Sequence, residues 1–303
     1  MDINQDLRKD QDIDLFEIYN IFISKLRLIF FITAIFAIFS VFYSLSLPDK
    51  YTSSASMQLS SESSSSGMQS LGGLSSMTAF TGFGLSAKSN KGILAINTME
   101  SRDFIKHLSD LPGFLENLMA VEGYNKRKSQ TIFSKDYIID PETKFIESNK
   151  ISFLQIQRAY SSSASFVEDN KSGLIKISVT SLSPKSANFL VNLISSEVNK
   201  ISKAKALTQS QLALNYLNEQ LRATNEKEVK NAISKLIESQ LNLQMMANIR
   251  DEYLLKTFDK AFIPEYKSAP SRSLICISIT LIGFVFGVIT AFIVHFYNQR
   301  KTY

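Results

Sequence analysis

The chain has 303 residues, a formal net charge of +5, one cysteine, two histidines and no tryptophan. A single cysteine rules out a disulfide framework within one chain. The two histidines, His107 and His295, lie far apart without the Cys, Asp or Glu spacing of a metal site. The mean hydropathy of +0.01 hides a split: the apolar residues gather near both ends and the middle is polar.

Residues 1–27 carry Lys25 and Arg27 and are expected on the cytoplasmic side. Residues 28–47 follow with no charge over about 20 positions, the length that crosses a hydrocarbon core at 1.5 Å per helical residue. A signal peptide has a shorter apolar stretch and a small-x-small cleavage pattern, which Ser44-Leu45-Ser46-Leu47 does not offer. The segment therefore reads as a retained first transmembrane helix, with the flanking Lys25 and Arg27 directing the N-terminus inward.

Residues 48–272 form the intervening domain, expected in the periplasm. It holds 27 Lys and Arg against 22 Asp and Glu, spread without a basic block, so it lacks a nucleic-acid footprint. After Pro48-Asp49-Lys50, residues 51–59 alternate loosely and read as a strand. Residues 60–91 are rich in Ser and Gly with Met68, Leu71, Leu74, Met77, Phe80 and Phe83 scattered among them. They read as a loop, either free or packed on a partner. A helical stretch over 93–119 is broken at Pro112-Gly113, and 120–150 gives no clear pattern. Residues 165–169 and 174–180 flank a turn with Gly173 suited to positive φ, a hairpin signal.

Ser183-Pro184 supplies an N-cap and a first-turn proline. Apolar positions then recur at Leu190, Ile194, Val198, Ile201, Leu214, Leu217 and Leu221. A break is available at 223–225, where Asn225 and Glu228 could cap a second stretch carrying Val229, Ile233, Leu236, Ile237 and Leu241. A continuous helix over these residues would reach about 100 Å. Its apolar stripe would need cover, for which other copies of the chain are a natural source. Residues 253–263 read as a returning strand that pairs with the first one in a small α+β sheet. Pro264 and Pro270 are expected to stop that strand and set the path into the bilayer.

Residues 273–297 form the second apolar segment, free of Asp, Glu, Lys and Arg. Gly283 and Gly287 make a GxxxG pattern, which lets two helix backbones approach closely in lipid. Cys276 reads as a small apolar residue there. The short tail, 298–303, is expected in the cytoplasm and leaves no room for a signalling output domain. The fold class is thus a membrane protein with two transmembrane helices flanking an α+β domain that has a small sheet and a very long projecting helix.

Three stretches carry a resemblance: Asp12-Ile13-Asp14-Leu15, residues 231–240 (NAISKLIESQ) and residues 259–265 (DKAFIPE), the last leading through Lys267 and Pro270 to Arg272. In that order, between two terminal apolar helices, the layout resembles the Wzz-type chain-length determinants, the first class of polysaccharide co-polymerases. The resemblance implies a ring-like homo-oligomer in the bacterial inner membrane, with no cofactor. It implies a non-enzymatic regulator of the modal length of a surface polysaccharide, usually O-antigen. A separate polymerase would be the partner, and contact with the growing polysaccharide would follow. Neither a GxSxG nor a P-loop is present, and no carboxylate pair stands out by spacing. Two other readings are an export component or periplasmic adaptor bridging to an outer-membrane partner, and a membrane-anchored periplasmic enzyme.

Overall fold

The computed structural model of the protein describes residues 23–60, 88–134, 151–169 and 171–301. The chain divides into two compact units, Asp49–Ser268 and Met1–Pro48 with Ala269–Tyr303. Asp12 to Leu15, the scattered apolar residues from Met68 to Phe83, and 135–150 lie outside the described residues.

The second of these units contains two helices, α1 (Leu26–Ser46) and α8 (Arg272–Lys301). Both hold a stretch long and apolar enough to cross a membrane, Leu26–Ser46 and Arg272–Val294.

In the unit Asp49–Ser268, the order is β1 (Tyr51–Leu59), α2 (Lys88–Glu100), α3 (Arg102–Ser109), α4 (Phe114–Met119), β2 (Val121–Asn125), β3 (Gln130–Phe133), α5 (Phe153–Ser163), β4 (Ala164–Asp169), β5 (Leu174–Ser181), α6 (Pro184–Ala223), α7 (Lys227–Ile249) and β6 (Leu255–Asp259). Helix α2 begins at Lys88, inside the stretch read as loop. The 93–119 helix is broken twice. Ser101 caps α3 by accepting from the Phe104 amide, and Gly113, at φ +80°, precedes α4. Part of the stretch without a sequence pattern is the β2–β3 hairpin, whose strands of five and four residues are too short for alternation to register.

The main sheet is antiparallel throughout, in the order β4-β5-β1-β6. The expected pairing of outgoing and returning strands is present: Leu59 lies opposite Leu255 and Gln58 opposite Lys256. The returning strand is shorter than expected. It ends at Asp259, five residues before Pro264, so the proline is not what stops it. In the β1–β6 ladder a bulge shifts the register between Ser56 and Met57, and beyond it the Ser53 hydroxyl donates to the Phe262 carbonyl instead of a strand continuing.

One sheet face is buried. Ala55, Met57, Ile175, Ile177, Val179 and Leu255 meet Leu190, Val191, Ile194 and Val198 from the first turns of α6. Met99, Phe104, Leu108, Phe114, Ile156 and Tyr160 extend the same core. Tyr160 is 2% exposed and its hydroxyl donates to the Met99 carbonyl; burial, then the Glu100 charge, pushes its pKa well up. On β1 and β5 the opposite face is polar, with Thr52, Ser54, Ser56, Gln58, Lys176, Ser178 and Thr180, and Thr52 and Thr180 share a 2.8 Å hydrogen bond. Alternation along β1 and β5 produces this division. At the β4–β5 turn, Gly173 has φ +68°, as its glycine suggested.

The long helix departs from the continuous reading. It ends at Ala223, and Thr224 and Glu226 are extended; Glu226 rather than Asn225 sits at the N-cap of α7, without a side-chain cap bond. The chain then turns back. Ser210 Oγ donates to the Gln240 carbonyl at 3.1 Å and Lys203 Nζ to the Arg250 carbonyl at 3.1 Å. Helices α6 and α7 are therefore an antiparallel hairpin, and α6 alone, with 40 residues, runs about 60 Å. Three successive residues outside α geometry break the 1.5 Å advance, so the apolar positions after 226 pack back on α6.

Two polar side chains of α6 tie it to its surroundings. Asn199, 4% exposed, accepts from the Leu254 and Leu255 amides and donates to the Leu255 carbonyl at 2.8 Å. It acts as a substitute strand neighbour for β6. Glu197, also buried, accepts from Lys200 and lies 2.9 Å from His107 Nε2. Burial pushes the Glu197 carboxyl up, but the hydrogen bonds from Lys200 and His107 outweigh it and hold its pKa below the ordinary 4.5.

Replacing Asn199→Ala orphans three backbone groups and should cost on the order of 1–3 kcal/mol. Amide exchange at Leu254 and Leu255 should accelerate in the full-length protein in detergent, and Asn199→Asp, which keeps the acceptor, should lie between. The Glu197 contribution is complete above its unfolded pKa of about 4.5 and is lost as pH falls through the lower folded value. The thermal midpoint should therefore drop on acidification below about pH 4.5, and by less in Glu197→Gln.

Candidate functional site: a close helix pair and a helical hairpin

The unit of α1 and α8 contains a seam of small side chains. Ile29, Ser40 and Ser44 are the buried residues of α1, and Ala291 is buried on α8. Gly283 faces Phe36, and a Cβ built there would collide with that ring. Gly287 lies over the Ile29 backbone, where a Cβ would stand 3.3 Å from the Ile29 carbonyl oxygen. The Cys276 thiol points to the Ser40 carbonyl at 3.8 Å. Contacts thus descend α8 from 287 to 276 as they climb α1 from 29 to 40, which makes the pair antiparallel. Phe36 and Phe286 stack with centroids 6.2 Å apart beside the glycine contact.

Most other large side chains on the pair are exposed, including Phe30, Phe31, Phe42, Leu274, Ile277 and Leu281. That distribution, small residues inside and large apolar residues outside, suits a lipid solvent. The glycine pattern was visible in the sequence. Its extension through Ala291, and the matching Ser40-x-x-x-Ser44 on α1, follow the same four-residue spacing and were missed because serine is read as polar. Pro270 follows a cis peptide bond after Ala269, two residues before α8, and Pro264 is buried in the other unit.

In the unit Asp49–Ser268, the second surface is the α6–α7 hairpin. Beyond Asn199 its seam buries only Ser210 and Leu214 from α6, and Ile233 and Ala247 from α7. Two helices cannot enclose a core. Leu212, Tyr216, Leu241, Met245 and Ile249 remain outside, the last 76% exposed. The stripe expected to need cover is therefore covered in part by the chain itself. His107 lies on α3 against Glu197, with its ring partly exposed. Lys126, Arg127 and Lys128 form the exposed turn of the β2–β3 hairpin. Among the described residues no three His, Cys, Asp or Glu side chains converge as metal ligands.

If the α1–α8 contact depends on its glycines, then Ser40→Cys should form an internal disulfide with native Cys276 on mild oxidation in membranes. Gly283→Leu, and to a smaller extent Gly287→Leu, should reduce the yield severalfold, read as the shift between reduced and non-reduced gels.

No curated protein matches the chain. A solved structure described as a "full-length bacterial polysaccharide co-polymerase" aligns over 96% of this chain and 98% of its own. Its identity is 13% and its TM-score 0.36, too low to argue from. A family model described as "Wzz: Chain length determinant protein" matches residues 11–110, a span that includes α1, β1, α2 and α3. Over that span, about a third of its length, the chain is similar to the chain length determinant proteins, the family that its sequence layout resembles.

Proposed function

We propose that this protein sets the modal chain length of a surface polysaccharide, lipopolysaccharide O-antigen, without catalysing a bond-forming or bond-breaking step itself. It sits in the bacterial inner membrane through residues 28–47 and 273–297. Both termini are cytoplasmic and residues 48–272 are periplasmic. It acts as a homo-oligomer beside a separate membrane polymerase and meets the growing polysaccharide. The observation that carries this reading is the chain length determinant match over residues 11–110.

Physical features support it. Each hairpin leaves Leu212, Tyr216, Leu241, Met245 and Ile249 uncovered, and burying such side chains stabilises by about 1.5–3 kcal/mol each. A neighbouring copy supplies that burial in the proposed assembly. Gly283 and Gly287 set the close α1–α8 pairing, and Pro264 and Pro270 shape the link from the periplasmic unit to α8.

The test is expression in a strain that keeps its O-antigen polymerase and lacks its own length regulator. Lipopolysaccharide on a gel should change from a broad, short-weighted ladder to bands clustered at one length. With the native polymerase supplied and the protein verified in the membrane, an unchanged ladder would sink the chain-length reading and leave the export-adaptor reading in its place.

A further inference from the structure

Within the unit Asp49–Ser268, the fold gathers basic side chains from three distant parts of the sequence. Lys126 Nζ lies 3.8 Å from Asp49 Oδ2 and 5.9 Å from the centre of the Tyr51 ring. Tyr51 in turn meets Tyr124 edge-on at 6.0 Å. Lys267 Nζ reaches the same Asp49 carboxylate at 3.1 Å, and the Ser268 amide donates to the Lys50 carbonyl at 2.8 Å. These contacts fasten the β2–β3 turn to the two ends of the unit.

The turn itself is built. The Asn125 side-chain oxygen accepts from the Arg127 and Lys128 amides at 3.1 and 3.2 Å, and Ser129 takes φ +48°. Arg127 and Lys128 are exposed, and among the described residues no carboxylate pairs with either. Lys126 and Lys267 thus converge on Asp49, with Arg127 and Lys128 following Lys126 in the turn and Lys50 following Asp49 in the chain; Glu122 on β2 and Glu265 are the carboxylates close to these residues in sequence. Tyr266, 84% exposed, precedes Lys267 directly, and Phe262, 57% exposed, lies five positions before it.

We infer that this basic turn binds the anionic phospholipid headgroups of the leaflet that faces the Asp49–Ser268 unit. The inference rests on the reading above that α1 spans the bilayer. Asp49 follows the last residue of α1 by three positions, a tether of at most about 11 Å. Asp49, with which Lys126 pairs, therefore stays within about one Debye length of the end of α1, and lipid phosphates at a membrane surface attract Lys and Arg over that range. Exposed Tyr and Phe beside them suit the interfacial zone. A soluble polyanion such as the growing polysaccharide shares the charge chemistry, but it gives no reason for fastening the turn beside the helix exit.

The test uses the full chain in lipid nanodiscs, with Cys276→Ser and a fluorophore on Ser129→Cys. Discs contain phosphatidylcholine alone or with phosphatidylglycerol, and the quencher is a spin-labelled anionic headgroup. A second reporter, Phe39→Cys in α1, is read with an acyl-chain quencher. Quenching at 129 should require the anionic lipid. It should weaken about fivefold per charge removed, roughly twenty-fivefold in Arg127→Gln/Lys128→Gln, and return in Arg127→Lys/Lys128→Arg.

Quenching at 39 with no lipid preference at 129, or with none of it lost in the double variant, would overturn the lipid site while leaving the membrane reading intact. No quenching at 39 would remove the membrane reading, and this inference with it. Dextran sulfate binding to phosphatidylcholine discs that is lost in the double variant, without any lipid preference, would assign the turn to a polymer instead.

Discussion

The antiparallel pairing of β1 with β6 is the constraint from which the rest of the structure follows. It joins residues some two hundred positions apart, and the contacts just beyond it, Lys50 with Ser268 and Asp49 with Lys267, finish the closure. Both ends of a unit longer than two hundred residues are thereby held side by side. Strand β6 has only five residues and lies at the sheet edge, where a strand is ordinarily the weakest. Asn199 compensates by presenting a side-chain amide to the β6 backbone. One helix residue therefore supports the closure of the whole unit.

The same helix links two physical regimes. Its first turns are buried against the sheet by Leu190, Val191, Ile194 and Val198. Past Ile201 the helix leaves the core, and among the described residues its neighbours are α7 and the residues that follow α7. The cohesion of the distal part comes from a narrow seam and a few polar contacts such as Ser210 with Gln240. Local opening should be easier there than at the sheet, because so few apolar side chains are removed from water. A surface of this kind gains more from a partner than a complete core would.

Much of this architecture was legible in the sequence because its determinants are local. The apolar runs, the Ser183-Pro184 start, the Gly173 turn and the alternation of β1 and β5 each depend on neighbouring residues. The double-backed hairpin was less legible. A helix that continues and a helix that reverses at 224–226 present the same apolar spacing on both sides of the break, and contacts between distant residues, such as Ser210 with Gln240 and Lys203 with Arg250, distinguish them. The β2–β3 hairpin was missed because its strands are short and polar. Its placement at Asp49 was missed because that contact spans 77 positions of chain, from Asp49 to Lys126. For the helix pair, GxxxG was readable, while the serines of α1 that face α8 were hidden by their polarity. The three successive basic residues 126–128 give no hint by spacing alone of what the turn lies against.

The sheet order also sets a schedule for synthesis. Strand β1 is made early, but its partner β5 begins at Leu174 and its other partner β6 at Leu255. At about 5–20 residues per second, β1 waits roughly ten to forty seconds for β6. For the first part of that interval, roughly six to twenty-five seconds until β5 is made, Met57, Ala55 and Tyr51 have no strand beside them. The alternate residues of β1, Thr52, Ser54, Ser56 and Gln58, are all polar, so a nascent chain presents a strand that can pair but has little apolar surface on one side with which to aggregate. The polar face that β1 contributes to the finished sheet is thus also a safeguard for the unfinished one.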